Sequence, residues 1–361
     1  MNKKDTRDKN NGDIEQKRFR TSSEDLPKPT EHKGPRVTVL VPVYNTSKYL
    51  TQCMQSLCNQ ILDDMEILCL NDGSTDNSLD ILENFAKKDS RIRIINKKNT
   101  GYGDTMNKGI LHAKGEYIGI VESDDFVDPD MFIELYSLAK KHDADVVRCN
   151  YFEYRDGNDI IHPAVLPEET GFLVDLVEDV RILYQAPAIW AGLYRRDFLI
   201  KEKLFFLPTP GASYQDASFN FKTLIAAKNL VFTDKPYLHY RRDNETSSVK
   251  SDQKVYCIND EYAEIEKYLK KKDKWKTFGY TFEAVKFAGY HWNLLRLPKD
   301  KLEPFLLRMR AEFHDADNQK MLKRSYFPKN HWRALRLLLD ISPKAFLLVF
   351  NTYQKKKKKN L

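Results

Sequence analysis

Three carboxylates, Glu122, Asp124 and Asp125, follow directly after an apolar run at residues 117–121. Carboxylates held together at the end of a strand repel one another unless a cation lies between them. Oxygen ligands suit Mg²⁺ or Mn²⁺, which keep several waters and bind the phosphates of substrates. The cluster therefore predicts a Mg²⁺ or Mn²⁺ site for a nucleoside diphosphate. The alternative is a solvated acidic turn, or a helix N-cap before Pro129.

Two more polar segments, at 71–76 and 99–103, each lie between an apolar run and a helical pattern. In the first, Asp72 can accept a hydrogen bond from the N–H of a base, or the segment can be a tight turn that caps a helix. In the second, Gly101 lets the backbone approach a ligand closely, beside a helix N-terminus that attracts phosphate. A plain turn explains the second segment equally well.

The elements that must position these residues alternate along the chain. Apolar strands are predicted at 37–44, 66–70, 92–95 and 117–121, and helices at 49–60, 78–88 and 105–113. Strand and helix alternation predicts an α/β fold with a Rossmann-like, doubly wound, mostly parallel sheet. Ligands bind beyond the carboxyl ends of such strands, where Tyr44, Asn45, Asp72 and Glu122 fall.

Three regions are predicted along the chain. Residues 1–34 are polar and interrupted by prolines, which predicts a disordered N-terminal arm. Residues 35–250 hold the alternating pattern of the α/β domain. From 251 the pattern becomes helical and rich in aromatic residues, with helices expected at 256–271 and 281–295. Residues 251–361 are therefore predicted to be a helical C-terminal region that ends in a basic tail.

The composition of the 361 residues, 41% hydrophobic and 31% charged, is typical of a soluble globular protein. Five cysteines without a CxxC pair predict reduced thiols in a cytoplasmic protein. The charged first residues precede no apolar run, and no stretch of about 18 apolar residues occurs, so neither export nor a membrane span is expected. Nucleic acid is not among the expected partners.

The last part of the chain combines apolar and basic residues. Leucines and aromatic residues concentrate at 332–350, and five lysines follow at 355–359. An apolar face beside a lysine block fits a helix on an anionic membrane surface, which would place the protein at the inner face of the plasma membrane. The alternative is that the leucines belong to the core and that the lysines are a solvated end.

Four segments resemble the motifs of the family-2 glycosyltransferases in order and spacing. The resemblance covers residues 36–250, and its motifs are VTVLVPVYNTSKYLTQCMQSL, EILCLNDGSTDNS, NTGYGDTMNKGILHAKGEYI and ESDDFVDPDMF. It implies a GT-A fold, a divalent metal, a donor that is usually UDP-linked, and inversion at the anomeric carbon. It also implies donor contacts from the matched motif positions, which here are Pro42, Tyr44, Asn45, Asp72, Gly101, Asn107, Glu122 and Asp124.

Within this resemblance, Pro42 and Tyr44 line the nucleobase pocket and Asp72 contacts the edge of the base. Glu122, Asp124 and Asp125 resemble the D-x-D region that contacts ribose, diphosphate and metal. Either Asp124 or Asp125 is the direct metal ligand.

Two later residues complete the implied site. An inverting transfer needs a base for the acceptor hydroxyl, and Asp216 lies in a segment, YQDASF, that resembles the E-D motif of the family. The alternative for Asp216 is an ordinary helix-start aspartate. Arg241 or Arg242 lies in a segment similar to one that folds over the donor diphosphate, and each can be a phosphate ligand or a surface arginine.

Several positions depart from the family pattern. Asn71 and Glu122 stand where the family usually has aspartate, Met106 where it often has arginine, and Gln215 where it has glutamate.

The sequence predicts a metal-dependent, hexosyltransferase-type enzyme that moves a sugar from a UDP-sugar to a hydroxyl of a cell-surface glycan, lipid-linked or teichoic-acid-type acceptor. The departures leave a second hypothesis, a non-catalytic module that binds glycans or an anionic polymer. A nucleotidyltransferase is disfavoured because no basic glycine-rich loop follows the first strand.

Overall fold

The computed structural model describes residues 33–209, 211–244 and 255–359, with the backbone alone from residue 353 onward. Ten strands occur in these residues. They are β1 (Val37–Val43), β2 (Met65–Asp72), β3 (Ile92–Lys97), β4 (Tyr117–Ile120), β5 (Phe126–Val127), β6 (Val146–Arg155), β7 (Asn158–His162), β8 (Leu173–Val174), β9 (Gly192–Arg195) and β10 (Leu230–Arg241).

Eleven α-helices occur in the same described ranges. They are α1 (Ser47–Cys58), α2 (Ser78–Ala86), α3 (Tyr102–His112), α4 (Met131–Lys141), α5 (Arg196–Glu202), α6 (Gln215–Ala226), α7 (Cys257–Lys271), α8 (Trp275–Leu294), α9 (Lys299–Asn318), α10 (Lys329–Arg336) and α11 (Pro343–Lys359). Each predicted strand and helix corresponds to one of these elements.

All described strands form one sheet, in the order β3-β2-β1-β4-β9-β6-β10-β5, with β7 beside β6 and β8 beside β10. The first four strands are parallel, and β10 is parallel to β6. Between these two parallel groups, β9 runs antiparallel to both β4 and β6. The predicted α/β fold with a mostly parallel, doubly wound sheet is therefore confirmed.

Both faces of β1, β2 and β4 are buried, which explains the continuous apolar character of these strands. In β1, Val37, Val39 and Val41 pack into one core with α1, α2 and α4, whereas Leu40 packs into the core on the opposite face. Neighbouring side chains of a strand point to opposite faces, so a single apolar run supplies both cores. The parallel strands therefore end at one common edge.

The helical C-terminal region shares a core with one face of this sheet. Phe282 and Phe287 of α8 belong to the same apolar cluster as Leu40 of β1 and Phe219 of α6. The prediction of a helical C-terminal region is confirmed. The expected boundary near residue 250 lies outside the described residues, as does the predicted disordered arm up to residue 32.

Most of the apolar residues near the C-terminus lie in this core. Leu335, Leu338 and Phe346 are at most 3% exposed, whereas Leu348 is 72% exposed. The alternative that the leucines belong to the core thus describes most of them. In the described part of the chain, no helix is long and apolar enough to span a bilayer.

Candidate functional site

The loop after β1 lies at the carboxyl edge and is fastened to the loop after β2. Pro42 is buried inside the strand, and Tyr44 is 51% exposed just beyond it. Asn45 has a positive φ of 54°, which asparagine tolerates better than most residues. Its N–H donates to Ser74 Oγ (3.1 Å), and its Oδ1 accepts from the N–H of Thr75 (2.7 Å). Tyr44 is therefore presented to solvent on a fixed turn.

Asp76 fixes the same two loops. Its carboxylate accepts hydrogen bonds from the backbone N–H groups of Ser47 and Ser78, both at 3.0 Å. Burial raises the pKa of Asp76, but the hydrogen bonds from Ser78 and Ser47 outweigh burial and lower the pKa to about 2. At Asp76, the last residue of the segment at 71–76, the segment is thus a turn that holds two loops together.

Asp72 holds the loop that follows β3. Its two oxygens accept from the N–H groups of Thr100 (2.9 Å) and Gly101 (3.0 Å), and it forms an ion pair with Lys97. The side chain is almost fully buried. A base at Asp72 would share these oxygens with the loop, so the predicted contact with the base edge stays a prediction.

The glycines at the start of α3 permit a close approach of two chain segments. A Cβ on Gly101 would lie 2.7 Å from the nitrogen of Gly211, and a Cβ on Gly103 would lie 2.1 Å from the oxygen of Leu207. The N–H of Tyr102 donates to the oxygen of Gly211 (3.1 Å). The backbone at Leu207, Thr209 and Gly211 approaches these glycines, whereas the sequence predicted a ligand at Gly101.

Asn107 fastens the same segment from within α3. Its Nδ2 donates to the oxygen of Phe206 (2.9 Å), and its Oδ1 accepts from the N–H of Phe206 (2.8 Å). These bonds occupy both polar atoms of the amide. A donor contact at Asn107 was predicted, but the geometry instead supports a role in holding the chain that leads to Asp216.

The acidic loop after β4 places its three carboxylates differently. Glu122 accepts from the hydroxyl of Tyr102 (2.7 Å), and the half-buried Asp124 accepts from Nδ2 of Asn244 (2.7 Å). Asp125 is 1% exposed and accepts from the N–H of Arg241 (2.8 Å). Of the two predicted metal ligands, Asp124 therefore has the more accessible carboxylate.

Arg241 is a structural residue of this loop. Its Nε donates to the oxygen of Asp124 (2.8 Å) and its Nη2 to Gln52 Oε1 (2.6 Å). The guanidinium carbon lies 4.9 Å from the ring centroids of both Tyr49 and Tyr154, and the residue is 9% exposed. Arg241 was predicted as a phosphate ligand, but its buried guanidinium is engaged by protein groups, so it fixes the acidic loop instead.

Burial and mutual repulsion raise the pKa values of the acids at this edge. Burial, and then the charges of Asp124 and Asp216, raise the pKa of Glu122 to about 8 against the hydrogen bond from Tyr102. Burial and the charge of Asp124 also raise the pKa of Asp125. Acids that repel one another in this way are stabilised by a cation. The hydroxyl of Tyr102 donates to Glu122, and its N–H donates to the oxygen of Gly211. Gln215 donates to the same oxygen, so hydrogen bonds link the two predicted parts of the site.

Asp216 lies in the first turn of α6, where a carboxylate is favoured by the helix dipole. Burial raises its pKa to about 6, while the N–H of Ala217 and the charge of Arg296 lower it. The neighbouring Gln215 donates to Thr209 Oγ1 (2.8 Å) and to the oxygen of Gly211 (3.1 Å). An amide can donate these bonds and an ionised glutamate cannot, which gives the departure at Gln215 a structural reason.

Tyr102 and Asn244 were missed by the sequence predictions. Tyr102 stands between the two glycines of a motif, so its position marked it as a candidate for the site. Nothing in the sequence pairs Asn244 with Asp124, because the contact joins distant parts of the chain.

The carboxylates of Glu122, Asp124 and Asp125 suit a hard cation only in part. In the described ranges, no group of three or more histidine, cysteine, aspartate or glutamate side chains is placed to hold a metal. Mg²⁺ and Mn²⁺ need fewer protein ligands when substrate phosphates and waters supply the rest. The accessible carboxylate of Asp124 fits such a site. His239 does not, because its ring nitrogens contact Asp159 (2.8 Å) and Asp128 (3.1 Å).

Comparisons with known proteins agree with this architecture. The family model of glycosyl transferase family 2 matches residues 38–211. Glycosyltransferase GlyG of Streptococcus pneumoniae is 33% identical over 60% of this chain and 74% of its own. EpsH of Bacillus subtilis is 35% identical over 57% of this chain and 61% of its own, so the chain spans less than two thirds of that relative.

The chain also resembles one further relative and one solved structure. A poly(ribitol-phosphate) beta-glucosyltransferase of Bacillus spizizenii is 31% identical over 59% of this chain and 34% of its own. The crystal structure of S. aureus TarS residues 1–349 in complex with UDP has a TM-score of 0.65 and 18% identity, covering 89% of this chain and 92% of that one. At this identity the likeness shows the fold alone.

Proposed function

The chain belongs to glycosyl transferase family 2, and from this premise we propose that it moves a sugar from a UDP-sugar to an acceptor hydroxyl with inversion at the anomeric carbon. The observation that carries the proposal is the set of hydrogen bonds that links Glu122 to the start of α6. Glu122 accepts from the hydroxyl of Tyr102, and the N–H of Tyr102 donates to the oxygen of Gly211. Gln215, which precedes Asp216, donates to the same oxygen. This link supports a base close to the proposed donor site.

The donor is proposed to lie across the ends of β1, β2 and β4. Tyr44 is exposed just after the end of β1. Asp72 is the last residue of β2, and Glu122 follows the end of β4. The proposed contacts are the base with Tyr44 and Asp72, and the ribose with Glu122. The UDP bound by S. aureus TarS, which shares this fold, supports a uridine donor.

Asp124 is the proposed ligand of Mg²⁺ or Mn²⁺. It is the more accessible of the two candidates, and Asn244 Nδ2 bonds to its Oδ2. The metal would neutralise the diphosphate as it leaves. Asp125 is proposed to support the loop, because it is buried against the N–H of Arg241.

Asp216 is the proposed base. It accepts the proton of the acceptor hydroxyl while the oxygen forms a bond to the anomeric carbon and the bond from that carbon to the UDP oxygen breaks. Attack on the face opposite to the leaving group inverts the anomeric carbon. A pKa of about 6 keeps Asp216 ionised at neutral pH and leaves it basic enough to take the proton.

The acceptor is proposed to be a cell-surface polymer of the teichoic-acid type. The relative that acts on poly(ribitol-phosphate) supports this class over neutral glycans. Such a polymer is consistent with the predicted placement of the enzyme in the cytoplasm at the inner membrane face. Binding of the basic C-terminus to an anionic membrane remains a prediction.

The proposal is tested by calorimetric binding of UDP, UDP-glucose and UDP-N-acetylglucosamine, with and without Mn²⁺. We expect UDP binding that requires the metal and that Asp124→Asn abolishes. Asp197→Asn is the matched control, because the side chain of Asp197 is 86% exposed on α5, and it should leave binding unchanged. If no nucleotide binds to the unaltered protein, the transferase proposal fails and a non-catalytic glycan-binding module is the better account.

A further inference from the structure

The end of α8 and the residues after it contact Tyr214, the residue that precedes α6. Tyr214 has a positive φ of 62°, which is strained for a tyrosine. Its hydroxyl donates to Asn293 and accepts from Arg296 (3.1 Å), and its ring packs edge-to-face on Trp292 at 5.8 Å. The C-terminal region thus holds the turn from which Asp216 projects.

The guanidinium of Arg296 contacts mainly aromatic side chains, those of Tyr214 and Trp292. Within the described ranges this side chain forms no ion pair, and it donates one hydrogen bond, to the hydroxyl of Tyr214. The guanidinium lies 4.5 Å from the ring centroid of Trp292, which is 46% exposed. A half-buried cation stacked on an exposed indole is a suitable place for an anion with an attached apolar surface.

The position of Arg296 relative to the proposed base indicates which of the two substrates it would contact. Its charge is among the groups that act on Asp216, together with the N–H of Ala217. Asp216 is proposed to contact the acceptor hydroxyl, whereas the donor diphosphate is proposed to lie at Asp124. An anion at Arg296 is thus expected to belong to the acceptor.

We propose that Arg296 and Trp292 bind a phosphate-bearing unit of the acceptor beside Asp216. This inference rests on the proposed function and names the residues that select an anionic acceptor. The guanidinium fork donates two parallel hydrogen bonds to the phosphate, and the indole packs against the carbon face of the adjoining polyol. Both residues lie outside the segment that matches the family, at residues 38–211, so they can set acceptor choice without altering the donor site.

The test measures binding of purified poly(ribitol phosphate) to the unaltered protein and to Arg296→Gln, Arg296→Lys and Trp292→Ala, in the presence of UDP and Mn²⁺. We expect Arg296→Gln and Trp292→Ala to weaken polymer binding about tenfold. Arg296→Lys should lose less, because lysine keeps the charge without the fork. Arg333→Gln is the matched control, because Arg333 is exposed on α10, and it should bind normally.

Salt and UDP distinguish a phosphate contact from a structural role. Polymer binding by the unaltered protein should weaken as ionic strength rises, and the slope should be smaller for Arg296→Gln. UDP affinity should be unchanged in all variants, because neither Arg296 nor Trp292 is proposed to contact the donor. With a UDP-sugar, Arg296→Gln should raise KM for the polymer and leave kcat nearly unchanged.

Three outcomes would overturn the inference. The first is that the unaltered protein does not bind the polymer. The second is that Arg296→Gln lowers kcat alone, which would mean that Arg296 only positions Tyr214. The third is that Arg296→Gln weakens UDP binding, which would mean that the anion at Arg296 is the donor diphosphate. Failure of the proposed function is recognised separately, since the unaltered protein would then bind no nucleotide. Polymer binding that still depends on Arg296 would in that case support the anion site without a transferase.

Discussion

Burial gives the acids of this site different properties. Glu122 has a pKa of about 8 and Asp216 a pKa of about 6, in each case raised first by burial. At neutral pH, Glu122 in the ligand-free protein is mostly protonated, whereas Asp216 is mostly ionised. Asp216 therefore has the protonation state of a base, whereas burial keeps the carboxyl of Glu122 mostly neutral.

A pH profile tests the role of Asp216. Below about pH 6 the carboxyl holds a proton and cannot accept another, so kcat/KM should fall about tenfold per pH unit on the acid side. Asp216→Asn should lower kcat by roughly 10²–10⁴-fold while UDP binding is kept. Initial rates over pH 5–9 measure both. A flat profile, or a variant with full activity, would exclude Asp216 as the base.

Arg241 is expected to support the fold of the acidic loop. Arg241→Gln should lower the free energy of unfolding by about 3 kcal/mol, because it leaves buried polar partners unpaired. The neighbouring Arg242 is exposed, and Arg242→Gln should cost less than about 0.5 kcal/mol. Urea denaturation without ligand measures both values. Unchanged stability of Arg241→Gln with weaker UDP binding would instead restore Arg241 as a phosphate ligand.

At the scale of elements, α3 packs directly on the chain at 206–209 and on Gly211. Gly101 and Gly103 allow the two backbones to touch, and Asn107 pairs with Phe206 through two hydrogen bonds. The same helix supplies Tyr102 to Glu122. A displacement of α3 would therefore disturb the donor loop and the approach to Asp216 together.

Gly103→Ala tests this coupling. The added Cβ would lie 2.1 Å from the oxygen of Leu207, so the segment must move, at a cost of about 1–3 kcal/mol. We expect kcat to fall at least about tenfold, because misplaced catalytic groups lose much of their effect. Gly171→Ala is the control, because its φ of 80° makes alanine costly there while no heavy atom lies within 4 Å of the added Cβ. Equal kcat values for the two variants would argue against the coupling.

On the scale of the whole molecule, the sheet and the C-terminal helices share one core. Phe287 of α8 is fully buried, with its ring 5.5 Å from that of Phe313, in the cluster that also includes Leu40 of β1. A shared core makes partial unfolding costly, because each part would expose the apolar face of the other. The C-terminal region is thereby expected to fold with the α/β domain.

Urea denaturation should consequently show a single transition by fluorescence and far-UV circular dichroism. Phe287→Ala should lower its free energy by about 3–5 kcal/mol and keep one transition. Leu348→Ala serves as the control, because its side chain is 72% exposed, and it should change stability by less than about 0.5 kcal/mol. Two separate transitions, with only one affected by Phe287→Ala, would show that the two regions fold independently.

The sequence by itself determined the elements and the family. Apolar periodicity is local, so it predicted β1 to β4 and their helices, and the motifs marked Glu122, Asp124 and Asp216. The tertiary structure decided how these residues are used. Arg241 faces inward and Asn107 pairs with Phe206 because chain segments far apart in sequence come together. The contacts of Tyr102, Asn244 and Arg296 likewise depend on packing between distant elements, which no local pattern of residues records.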